Sequence, residues 1–107
     1  VRENARVLDR LSEAIRHDAA DADALVLEGA LATAKTQLVV SKLALHAAQQ
    51  LFEAGGASMT ARTHNFDRHW RNLRTIFNHN PLLHKARVVG AYHLTGETQH
   101  LKEGRIF

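Results

Sequence analysis

A chain of 107 residues with a hydrophobic fraction of 45% forms at most one folded domain with a modest core. Its formal charge of +3 is too small to point to nucleic acid, and the lack of cysteine excludes disulfides and thiolate chemistry. The one proline, Pro81, leaves every long stretch free of breakers, which predicts an all-α fold. Charged residues at the start, Arg2 and Glu3, do not read as a signal peptide, and no uncharged apolar run is long enough to cross a bilayer. A cytoplasmic protein with no membrane or nucleic-acid partner is expected. Opening on Val1, not Met, fits a fragment or a processed product.

The first helical stretch runs roughly from Asn4 to His17, with Val7, Leu8, Leu11 and Ile15 at helical spacing. Asp18 to Asp23 reads as a short polar, alanine-rich joint. The second stretch, from about Ala22 to Ala54, is the main structural signal. Leu27, Leu31, Ala34, Leu38, Leu45, Ala48 and Phe52 follow a three/four alternation, with a second strip of Val40, Leu43, Ala44, Ala47 and Leu51 beside it. Only Glu28, Lys35, Lys42 and Gln49, seven residues apart, form a polar strip. A helix that apolar is buried on several sides, and one small domain cannot cover it alone.

A loop from Gly55 to Thr63 follows. Phe66, Trp70, Leu73 and Phe77 then form one apolar stripe of a third helix, with Asp67 and Arg71 placed to pair across a turn. Asn78-His79-Asn80-Pro81 breaks this helix, because proline pushes the residue before it out of the α region. A fourth helix starts near Pro81 and ends near Leu94 to Gly96. The tail, Glu97 to Phe107, has little pattern and is expected to extend over a neighbouring surface.

Three groups of residues carry candidate chemistry. Gly55-Gly56-Ala57-Ser58, straight after the long helix, is either a plain helix stop or a backbone cradle for a phosphate. Arg62, Arg68, Arg71 and Arg74 are an ion-paired solvent face, a clamp for an anionic cofactor or a nucleic-acid surface; the aromatic residues among them sit on the core stripe, which argues against nucleic acid. His79, held in the break between two helices, is either a capping residue or an imidazole aimed at a fixed point, able to give or take a proton near neutral pH. The eight histidines include no pair at i,i+3 or i,i+4, so no metal site is expected.

Leu51-Phe52-Glu53-Ala54-Gly55-Gly56-Ala57-Ser58 followed by His64-Asn65-Phe66-Asp67-Arg68-His69-Trp70-Arg71-Asn72-Leu73-Arg74-Thr75 resembles the C-terminal domain of the acyl-CoA dehydrogenase superfamily. The His-Asn-x-Asp-Arg-x-Trp-Arg-Asn version, with a later His-Asn-Pro, is similar to its flavin-dependent monooxygenase branch, which includes dibenzothiophene monooxygenase and related hydroxylases. This resemblance implies that residues 1–107 form a C-terminal helical bundle of a longer three-domain, tetrameric enzyme. It implies flavin contact through Gly55, Gly56, Ala57 and Ser58, with Arg62 toward the phosphate end and FMN favoured over FAD. It further implies a separate flavin reductase as partner, a sulfur-containing or aromatic small-molecule substrate, and a catalytic role for His79. Where many acyl-CoA dehydrogenases carry a catalytic glutamate loop, this chain reads Phe77-Asn78-His79-Asn80-Pro81, without a carboxylate. Phe52 likewise replaces a glutamine frequent in dehydrogenases. A dehydrogenase with its base outside this segment, and a non-catalytic oligomerisation module, are the alternatives. The glycine turn, the arginine turn and His79 are expected to converge on the rim of one flavin site built mostly by further or adjoining polypeptide, and the segment alone is expected to be inactive.

Overall fold

A computed structural model describes residues 1–17, 20–79 and 81–102. These residues are helical and contain no strand. The helices are α1 (Arg2–Arg16), α2 (Ala22–Gly55), α3 (Asp67–His79), α4 (Leu82–Thr95) and α5 (Gln99–Lys102), with a single 3-10 turn at Ala57–Thr60. At 1.5 Å per residue α2 is about 50 Å long, and it sets the longest dimension of the chain, 57 Å.

Every other element packs on α2. Helix α1 runs antiparallel to its first half: Arg10 pairs with Glu28, and Thr33 donates to the Asn4 side chain at 3.2 Å. The close approach depends on Gly29, where a Cβ would lie 3.3 Å from a Leu11 methyl. Helices α3 and α4 return along α2. Trp70 and Asp67 share a shallow cavity with Gln49 and Phe52 near its end. Val88 of α4 joins Ala30, Ala34 and Leu101 in the core, flanked by Leu27, Leu31, Val89 and Tyr92. The alternation of small and large residues at these positions lets the helices interlock closely. Ser41, also buried, donates back to the Leu38 carbonyl at 3.0 Å, which satisfies its hydroxyl inside α2.

The primary strip read from the sequence of α2 is the packed one, while Val39 and Leu43 remain exposed. Two boundaries differ from the sequence reading. His79 completes the last turn of α3, because the restriction imposed by Pro81 falls on residue 80 and leaves His79 free to stay helical. The tail is not patternless throughout: Gly96 caps α4 in the left-handed region (φ 74°), the chain turns, and α5 drives Leu101 into the core. Part of the Asp18–Asp23 joint, Asn80 and residues 103–107 lie outside the described residues.

Candidate functional site

The turn after α2 is built by its two glycines. A Cβ on Gly55 would fall 1.9 Å from Met59 Cγ, so the side chain of Met59 occupies the space that any larger residue would need. Gly56 has φ 68° and ψ −170°, a region open essentially to glycine alone. Nothing lies within 4 Å of the position its Cβ would take. The result is a bare backbone edge facing open space. The 3-10 turn behind it is tied by Met59 N–H to the Gly56 carbonyl (3.1 Å), Ser58 Oγ to the Gly55 carbonyl (3.3 Å) and Thr60 Oγ1 to the Ala57 carbonyl (2.8 Å). Gly55, Gly56, Ala57 and Ser58 are all exposed. A flat aromatic ligand can approach such an edge without meeting a side chain.

Beyond this turn the chain reaches Arg62 and then Asn65, whose φ of 50° is the one positive value at a non-glycine among the described residues. Asparagine tolerates this conformation because its short polar side chain hydrogen-bonds locally. Here the Asn65 amide oxygen accepts from Arg71 Nη2 at 3.1 Å, and its carbonyl accepts from Arg68 N–H at the start of α3. Arg71 Nε also pairs with Asp67 at 2.9 Å, the i,i+4 contact expected from the sequence. Arg62, Asn65, Asp67 and Arg71 together line a cavity of about 320 Å³. One turn along α3, the Arg74 guanidinium lies 5.3 Å from the centre of the Trp70 ring, close enough for a cation–π contact.

His79 stands at the other end of α3, exposed, on the rim of a separate cavity of about 630 Å³ shared with Thr75, Ile76 and Asn78. Twelve residues of helix separate Asp67 from His79, about 18 Å along the axis. The glycine turn and Arg62 therefore neighbour each other in the chain, but they share no cavity with His79. Within one chain, the continuous helix α3 separates Asp67 and Arg71 from His79.

Two features carried no clear sequence signal. Lys85 is buried in α4, and burial pushes its ammonium below the usual lysine range. It sits three and seven residues before Val88 and Tyr92, so the core stripe of α4 runs through it. His84 and His100 meet edge to face at 6.0 Å, with His84 near Arg87 and His100 near Glu97. Sixteen residues apart on different helices, these rings follow no periodicity. Among the described residues no three histidine, aspartate or glutamate side chains gather as a metal set. No described helix is long and apolar enough to cross a membrane.

This all-α arrangement, one long helix with shorter helices folded back on it and a glycine turn at its end, defines a helical bundle domain. The chain belongs to the family described as Acyl-CoA dehydrogenase, C-terminal domain, which matches residues 4–82. It is 38% identical over 65 residues to the probable FMNH2-dependent monooxygenase SfnC of Pseudomonas putida, covering 61% of this chain and 16% of that protein. It is 39% identical over 54 residues to a dibenzothiophene monooxygenase of Mycolicibacterium goodii, covering 50% of this chain and 13% of the relative. For a dibenzothiophene monooxygenase of Rhodococcus erythropolis the identity is 37% over 59 residues, covering 55% and 14%. The matched part thus spans less than a fifth of each of these relatives. No solved structure matches the chain at a significant level.

Proposed function

We propose that this chain is the C-terminal flavin-contacting and oligomerisation domain of a flavin-dependent monooxygenase that acts on a sulfur-containing or aromatic small molecule. The observation that carries the reading is the site pair itself: a bare glycine edge at the end of α2, and an exposed histidine, not a carboxylate, at the end of α3. The relatives named FMNH2-dependent and dibenzothiophene monooxygenases support it. FMN is favoured over FAD, with a separate reductase supplying reduced flavin and the intact enzyme working in the cytoplasm.

The residues present fit a flavin. Gly55, Gly56, Ala57 and Ser58 would hold one edge of it, with the Gly56 backbone open and the Met59 side chain beside Gly55. Arg62 would face its phosphate end. When bound, the flavin supplies the redox chemistry that activates oxygen; the protein contributes binding, orientation and exclusion of water. His79 gives or takes a proton beside the reacting oxygen. Since the glycine turn and His79 lie on different segments, with α3 between Asp67 and His79 rising about 18 Å, they serve two different flavins in an oligomer, proposed here as a tetramer. Val39, Leu43, Ile76, Leu83 and Leu94, all more than half exposed, supply apolar surface for that assembly and for the rest of the enzyme.

Replacing His79 by Ala in the intact enzyme tests the reading. The rate of oxygen insertion should fall by about 10²-fold or more, the range of general acid–base catalysis, with less product per reduced flavin consumed, while assembly is unchanged. The second reading, an acyl-CoA dehydrogenase with its base outside this segment, is favoured by the name of the matched family. Anaerobic bleaching of the flavin by an acyl-CoA would support it and displace the first.

A further inference from the structure

The basic cluster at the start of α3 has a definite internal order. Four arginines, Arg62, Arg68, Arg71 and Arg74, stand against one carboxylate, Asp67, between residues 61 and 75. The local excess equals the formal charge of the whole chain, +3. Within this stretch two arginines, Arg62 and Arg71, line the same cavity of about 320 Å³ with Asn65 and Asp67.

Arg71 is fixed where Arg62 is not seen to be. Its Nε is held by Asp67 at 2.9 Å and its Nη2 by Asn65 at 3.1 Å, so two of its five N–H donors are committed and the plane of the fork is set. Asn65 can reach it because the backbone there takes the left-handed conformation, φ 50°. An exposed ion pair of this kind contributes little to stability. Its stronger consequence is orientation: the remaining donors of Arg71 are preorganised for a second acceptor. Asp67 also lines the cavity and opposes an anion, but it is already paired with Arg71, and Arg62 adds a second cation on the wall. A planar donor set of this kind suits a phosphate.

We infer that the Arg62–Arg71 cavity is a phosphate subsite, in which Arg62 and Arg71 bind the phosphate and Asn65 and Asp67 are positioning residues for Arg71. The assignment rests on the flavin reading for its natural ligand, the phosphate of the flavin. The same chemistry would also accept a coenzyme A phosphate, and the test separates the two.

The intact protein is titrated with FMN, riboflavin, coenzyme A and inorganic phosphate, as wild type and as Arg62→Gln, Arg71→Gln, Arg71→Lys and Asn65→Ala. FMN affinity should fall about tenfold in Arg71→Gln, the worth of one charged hydrogen bond, and less in Asn65→Ala. Riboflavin, which lacks the phosphate, should bind all forms alike. Arg71→Lys keeps the charge but cannot span Asp67 and Asn65 as a fork, so it should recover FMN binding only in part, and it maintains the test if the glutamine variant fails to fold. Weakened phosphate and coenzyme A binding in Arg71→Gln, with no flavin bound by any form, would keep the subsite and overturn the flavin reading. Flavin binding with equal FMN and riboflavin responses to Arg71→Gln would keep the flavin reading and overturn the subsite.

Discussion

The first half of α2 is enclosed, with α1 on one flank and α4 and α5 on another, and its Gly29, Ala30 and Ala34 are buried. The second half has α3 beside it, and α3 buries no residue completely: Trp70 is 40% exposed and Ile76 64%. The same helix therefore serves as a core at one end and as a scaffold at the other. The enclosed end holds the stability of the chain. The open end carries the glycine turn, the arginine cavity and His79, where backbone and polar groups stay within reach of a ligand.

The largest effect on stability should come from the enclosed end. Leu101→Ala removes the buried anchor of α5 and should cost about 2–5 kcal/mol, read as a lowered urea midpoint. A loss below half a kilocalorie would show that α5 is not part of the core. At the open end, Gly56→Ala forces a side chain into a φ of 68° and should cost about 1–3 kcal/mol. Unlike Leu101→Ala, it should also weaken flavin binding in the intact protein. Equal flavin affinity would remove the glycine edge from the site.

Lys85 sharpens the comparison through pH. Its folded-state pKa is lowered from 10.5 by burial, so between that lowered value and 10.5 the unfolded chain binds more protons than the folded one. Stability from this group therefore rises with pH across that window. The rise should be missing from Lys85→Met, compared with wild type by denaturant unfolding at a series of pH values. Identical pH slopes in the two proteins would mean that Lys85 carries no burial cost. The smallest effect is expected for Ile76→Ala in the 107-residue chain, within about 0.5 kcal/mol because the side chain is largely exposed. In the intact, assembled protein the same change should cost more if a neighbour covers α3.

Much of the fold was legible in the residues because α2 carries an uninterrupted three/four alternation and ends on a glycine pair. Pro81 likewise separated α3 from α4. Less legible was anything set by contact between distant segments. Leu101 sits in a stretch too short for periodicity, and only the groove between α2 and α4 makes it a core residue. The glycine pair was readable as the end of α2, since glycine commonly stops a helix, while its candidate role toward a flavin came only with the family resemblance. The hold of Asn65 on Arg71 was not, since it depends on one backbone angle. The separation of His79 from Asp67, by contrast, follows directly from the length of α3.

Oxygen-dependent turnover of the intact protein with reduced FMN, compared between wild type and His79→Ala, probes the site at the end of α3 most directly. The wild type should insert oxygen into an organosulfur or aromatic substrate. The variant should bind flavin and assemble normally, yet release most of the reducing equivalents without product. Undiminished product per reduced flavin in the variant would contradict the role given to the end of α3.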